Sequence, residues 1–171
     1  VECYGIRRGW NGLIAGDIIR LDEKSVAHTI NRGGTILYTA RSEEFMDSVG
    51  RDKALATCKL LGLDGIVAIG GDGTFRGATD LTNRGIPTIG LTGSIDNDIT
   101  ASDYTIGFDT AMNTVCEMVD RLRDTCESHA RCNVVEVMGR NCGEIALRTG
   151  IACGAVAVAI PEIPFDEAAA I

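Results

Sequence analysis

The chain has 171 residues, a formal net charge of −8 with histidine neutral, and 45% hydrophobic but only 5% aromatic residues. That length fits one domain with a real core, and the negative balance argues against nucleic acid or an anionic membrane surface as partner. No apolar run approaches the ~20 residues of a membrane span, and no secretory pattern opens the chain. The seven cysteines are odd in number and include no C-x-x-C pair, so they are expected as reduced thiols in a cytoplasmic protein.

In chain order, Val26, His28 and Ile30 suggest a helix-like stretch, and 36–40 is a weak strand candidate. A helical pattern over 52–61 leads into the apolar run 65–69. A second, 74–83, has Gly85 just past its end, and 86–91 follows as a strand with Pro87 at its start, where no ladder donor is lost. From 109 to about 128, Met112, Val115, Val119 and Leu122 form one apolar stripe. The opposite face, Asp120, Arg121, Arg123 and Asp124, reads either as solvated or as serving an interface or an effector. Residues 133–138 and 155–160 are strand candidates on either side of a helix at 141–152. Short Ile- and Val-rich runs of this kind suit buried parallel strands. Their alternation with helices predicts an α/β fold: a doubly wound, mostly parallel sheet with helices on both faces and right-handed crossovers.

Two segments carry chemistry. Gly70-Gly71-Asp72-Gly73-Thr74 lies between a strand and a helix. Glycines there let backbone N–H groups approach an anion, and the helix adds the positive end of its dipole. A carboxylate inside an anion cradle makes sense if Asp72 holds Mg²⁺, which neutralises phosphate oxygens. Gly93-Ser94-Ile95-Asp96-Asn97-Asp98 then supplies two more carboxylates after the next strand. Read singly, the first segment is also compatible with a tight turn, and Asp96 and Asp98 with solvated turn residues. Read together at strand C-termini, where α/β sheets bind ligands, they describe phosphoryl transfer to an alcohol.

These segments resemble the 6-phosphofructokinases. Asn31-Arg32-Gly33-Gly34-Thr35 with Ala40-Arg41-Ser42 is similar to the family's ATP-contacting stretch. Val137-Met138-Gly139-Arg140 is similar to its sugar-phosphate turn, and Arg131 stands seven residues before Met138 at the family's spacing. The resemblance implies that Asp96 is the base that deprotonates the 1-hydroxyl of fructose 6-phosphate, that Asp72 holds Mg²⁺, and that Asp98 assists. It implies nucleotide contacts from Arg41, Ser42, Gly71, Asp72, Gly73 and Thr74, and substrate contacts from Ser94, Asp98, Met138, Gly139 and Arg140. Arg131 would reach a neighbouring subunit's site, which implies a homo-oligomer, a tetramer in the complete enzyme. Arginine suits such roles because its planar fork pairs phosphate oxygens bidentately.

The pyrophosphate-using branch of the family carries an acidic residue at the position of Gly73 and a lysine at that of Gly93, so two glycines favour ATP as donor. By the same resemblance, a first strand and a second domain carrying the 6-phosphate clamp fall outside 1–171, leaving one nucleotide-binding domain here. Such a chain by itself is expected to have little or no turnover. Tyr4 and Trp10 are then expected to pack the exposed sheet edge. Arg123 matches an effector-contacting arginine, whereas Val156 stands where an acidic residue is expected. The alternatives are a pyrophosphate-dependent enzyme, a kinase of the NAD- or diacylglycerol-kinase type, and a non-catalytic nucleotide-binding or subunit-interaction piece.

Overall fold

The computed structural model describes residues 1–166. The described residues form α/β structure in the order β1 (Cys3–Ile6), α1 (Gly9–Ala15), β2 (Ile18–Leu21), a 3₁₀ turn (Glu44–Met46), α2 (Ser48–Leu60), β3 (Ile66–Gly70), α3 (Asp72–Asn83), β4 (Thr88–Thr92), α4 (Phe108–Ser128) and α5 (Glu144–Cys153). The described residues group into two compact units, one comprising 1–68 with 73–90, the other 69–72 with 91–166.

In the first unit, β1 and β2 pair antiparallel with Cys3 opposite Leu21 and Ile6 opposite Ile18. The core gathers Leu13, Phe45, Ala54, Cys58, Leu81 and Ile86, with Ile6, Trp10, Ile14, Leu55, Leu63 and Ile66 packed on it. Helix α2 packs on α1 and the 3₁₀ turn, while α3 adds Leu81 to the same core and lays Gly77 against Trp10 and Phe45. Arg51 pairs with Asp80 at 2.9 Å, and Arg84 pairs with Asp52. Trp10 does not cover a sheet edge as expected: its ring stacks on Phe45, centroids 4.8 Å apart. The indole is apolar enough to be worth more in the core than on an edge.

Strands β3 and β4 form a two-stranded sheet. Ile66 N–H donates to Pro87 O at 2.9 Å, and Gly93 N–H to Gly70 O at 3.0 Å. Residue numbers climb together along the two strands, so they run parallel. The expectation that both strands are fully buried does not hold: Ala68 is buried, while Val67, Ile69, Ile89 and Leu91 are exposed. Successive side chains point to opposite faces, so one face can be covered while the other is not.

In the second unit, α4 packs on α5 through Phe108 and Ile145. Arg148, from α5, lies over the rings of Tyr104 and Phe108. The stripe on α4 is only partly covered: Met112, Val115 and Val119 are half-buried and Leu122 is exposed.

Three expected strands are absent as strands. Residues 36–40, 133–138 and 155–160 have no ladder among the described residues, and Val134 and Val156 are almost fully exposed, 97% and 95%. A strand exists only when a neighbour takes up its N–H and C=O groups, so apolar composition alone does not make one. The stretch around His28 is a run of turns rather than a helix, with His28 exposed at φ +58°. The last helix begins at Glu144 instead of 141, because Gly139 to Cys142 is closed as a turn by Cys142 N–H to Gly139 O at 2.7 Å.

Candidate active site

Asp72 opens α3, with Gly71 just outside it. The first N–H groups of a helix have no partner within it. A Cβ built on Gly71 or on Gly73 would meet nothing within 4 Å. The cradle is therefore open to an anion and would be filled by any larger residue. Gly93 is different. A Cβ there would lie 2.8 Å from Ile69 Cγ2 and 3.3 Å from Gly70 N, so the two motif loops run side by side only because Gly93 lacks a side chain.

Beyond Gly93 the chain folds into the acidic loop. Ser94 Oγ accepts the amide of Asp96 at 3.1 Å, which leaves the hydroxyl hydrogen available to another acceptor. Asp96 is half-buried, and its Oδ1 is shut off from solvent with no hydrogen-bond partner among the described residues. An acceptor left in that state costs about 1–3 kcal/mol, and such costs concentrate where a ligand is to be met. Asp98, two residues on, is exposed.

The turn Gly139–Cys142 is brought against this loop. Cys142 Sγ donates to Asp96 O at 3.2 Å. Gly139 is required in the turn, since a Cβ there would sit 2.2 Å from Cys142 O. Arg140 adopts φ +47° and projects its side chain into solvent, and Met138 is exposed. Arg131 is exposed just beyond α4, its amide donating to Cys126 O at 2.9 Å.

Arg41, Ser42, Gly73 and Thr74 lie in the first unit. The Arg41 side chain is exposed while its carbonyl accepts Asn11 Nδ2 at 2.8 Å, and Ser42 Oγ accepts Phe45 N–H at 3.2 Å. Arg123 is already engaged, its guanidinium donating to Cys153 O at 2.7 Å and pairing with Asp120 at 3.6 Å.

Among the described residues no three His, Cys, Asp or Glu side chains cluster tightly enough to cage a metal ion. Asp72 is exposed at the first residue of α3.

A family model described as Phosphofructokinase matches residues 1–171. The chain belongs to the phosphofructokinase family. It is 59% identical over 166 residues to the ATP-dependent 6-phosphofructokinase of Clostridium botulinum, covering 97% of this chain and 52% of that protein. To ATP-dependent 6-phosphofructokinase 1 of Clostridium perfringens it is 54% identical over 167 residues, 98% of this chain and 52% of the relative. The chain thus spans about half the length of these curated relatives. The phosphofructokinase structure from Saccharomyces cerevisiae superposes with a TM-score of 0.83 at 36% identity, over 91% of this chain and 24% of that one. The α/β fold expected from the sequence is therefore the phosphofructokinase fold.

Two residues of this candidate site escape reasoning from sequence. Cys142 touches the Asp96 loop through its thiol, and Asn97 ties that loop to residues 103 and 105. Neither link has a local sequence signature, although Asn between two aspartates is a known sign of a tight, left-handed turn.

Proposed function

We propose that the complete protein transfers the γ-phosphoryl group of ATP to the 1-hydroxyl of fructose 6-phosphate, giving fructose 1,6-bisphosphate. The observation that carries this reading is the buried, unpartnered Oδ1 of Asp96. A carboxylate that the protein leaves without a full set of donors suits a general base, and the half-buried position of Asp96 leaves part of the residue open to a hydroxyl.

Each remaining residue then has a task that its placement suits. The amides of the turn around Gly71 and Gly73 would hold the nucleotide phosphates, with Thr74, Arg41 and Ser42 contributing further contacts. Asp72 would hold Mg²⁺, which when bound neutralises charge on the phosphate oxygens. Ser94 keeps a hydroxyl donor for the sugar or the phosphoryl group. Met138, Gly139 and Arg140 would line the sugar side, and Asp98 would assist at the metal through water. Arg131, exposed just beyond α4, would contact a neighbouring subunit in a homo-oligomer. Catalysis on this account is positioning and charge neutralisation, since phosphoryl transfer passes through a loose transition state. ATP rather than pyrophosphate is the donor on this account because Gly73 has open space around it where the pyrophosphate-using branch carries an acidic side chain. The relatives' names as ATP-dependent enzymes support the same choice. A cytoplasmic location accords with seven free cysteines and with the lack of any described helix long and apolar enough to cross a membrane.

Calorimetric titration with ATP and, separately, pyrophosphate in magnesium buffer tests the donor site, with Asp72→Ala as control. Saturable ATP binding that Asp72→Ala loses supports the reading. Preferential binding of pyrophosphate refutes the ATP assignment.

A further inference from the structure

Asn97 stands between the two carboxylates of the acidic loop and adopts φ +55°. In an extended chain residues 96 and 98 would point to the same side, because side chains alternate with a period of two. A left-handed residue between them breaks that alternation. The outcome is visible in their surroundings: Asp96 is half-buried with Oδ1 shielded, whereas Asp98 faces solvent.

Asn97 is held in this conformation by its own side chain. Oδ1 accepts the amide of Thr105 at 2.9 Å, and Nδ2 donates to Asp103 O at 3.3 Å. Thr105 is buried at 4% exposure, so its N–H would lack a partner without this bond. The far side of the same loop is fixed to the end of β4. Ile106 N–H donates to Thr92 O at 2.7 Å, and Ser102 Oγ to Thr92 Oγ1 at 3.3 Å. The loop is thus anchored on β4 from 102 to 106, and Asn97 transfers that anchoring to the two residues it separates.

We propose that Asn97 is a positioning residue that aims Asp96 at the acceptor hydroxyl and turns Asp98 away from it. The inference rests on the reading of Asp96 as the base. Asn97 touches no substrate; it acts through the backbone of its neighbours. Misplacing a reacting group by about 1 Å costs on the order of 10²-fold in rate, which sets the effect to look for.

The test compares Asn97→Gly, Asn97→Ala and Asp96→Asn in the complete enzyme, by steady-state kinetics and thermal melting. Gly accepts a positive φ freely but has no side chain to bond residues 103 and 105. Ala loses the same bonds and is also strained in the left-handed region, so it should melt lower than Gly. Positioning predicts that both variants lose kcat by about ten- to a hundredfold, to the same level despite their different melting temperatures, with KM for ATP within about twofold of normal. If kcat instead tracks the melting temperature, or Asn97→Gly turns over at the normal rate or loses its cooperative melt, the inference is overturned and Asn97 is purely structural. Asp96→Asn separates the two levels of the argument. If it is inactive while Asn97→Gly is normal, only the inference fails. If Asp96→Asn itself turns over normally, the base assignment fails and the positioning role falls with it.

Discussion

Cys142 donates its thiol to the carbonyl of Asp96 at 3.2 Å, and its own amide closes the turn on Gly139 at 2.7 Å. One residue therefore joins the turn proposed for the sugar to the loop proposed for the base. A thiol is a weak donor, so the link is worth no more than about 1 kcal/mol. Cys142→Ala is expected to lower kcat by at most about fivefold, with Cys142→Ser, which keeps a donor, nearer normal. Steady-state assays check this. A loss of a hundredfold or more in Cys142→Ala would mean that the thiol takes part in the chemistry.

The two glycines argued to select ATP make separable predictions. Gly73 lies in the first turn of α3 with open space around it. Gly73→Asp should therefore leave stability unchanged or raise it slightly, by about 0.3–1 kcal/mol, since an acidic residue suits a helix N-terminus. It should nonetheless weaken ATP binding by filling the cradle. Gly93→Ala should destabilise by about 1–3 kcal/mol, because its Cβ would press on Ile69 and the backbone of Gly70. Denaturant melts and ATP titrations of both variants separate the effects; a Gly73→Asp protein that binds ATP normally would contradict the cradle.

The core of the first unit depends on Leu13 and Leu81, both with no exposed surface. Leu81→Ala should cost about 2–5 kcal/mol, the transfer term plus the cavity left behind. Urea unfolding measures it, and a cost below about 1 kcal/mol would show that Leu81 is not enclosed as described.

Two titrations carry a definite sign. The Ser25 hydroxyl, and then its amide, hold the Asp22 carboxyl below its ordinary value of 3.8. A depressed folded value means stability present above pH 3.8 and lost as pH falls through the folded midpoint. Carbon NMR of the Asp22 carboxyl should show a midpoint below 3.8 that rises in Ser25→Ala; an unmoved midpoint would refute the cause. Burial pushes the Cys58 thiol above its ordinary value of 9.0, so its contribution holds below pH 9.0 and is lost as pH rises through the folded value. At neutral pH, Cys58 should be among the slowest of the seven cysteines to react with a thiol reagent, and the exposed Cys3 and Cys132 among the fastest.

How much of this was legible beforehand follows from how local each feature is. The strand at 65–69 and the helix at 74–83 read correctly in kind because the signal is contiguous, although the strand runs Ile66–Gly70 and the helix starts two residues earlier, at Asp72. Helix α4 was legible from the spacing of Met112, Val115 and Val119, and only its first residue moved, to Phe108. The β1–α1–β2 unit was missed because its pairing joins Cys3 to Leu21 across a helix, and no four-residue strand announces a partner that far away. Residues 133–138 and 155–160 were overread, since Val-rich composition reports burial preference and not a ladder. At the site, the types and order of Gly71, Asp72, Gly73, Ser94 and Asp96 were plain from sequence. The shielding of Asp96 Oδ1, the thiol of Cys142 and the side-chain bonds of Asn97 were not, because each depends on residues brought together from elsewhere in the chain.

The account turns on Asp96 as the base, so kcat of Asp96→Asn in the complete enzyme tests it most directly, alongside ATP affinity for the same variant. Asn is isosteric with Asp but accepts no proton. The account predicts that kcat falls by about three powers of ten or more, near the upper end of what a general base contributes, while ATP binds within about twofold of normal. Turnover within tenfold of the unmodified enzyme would contradict it.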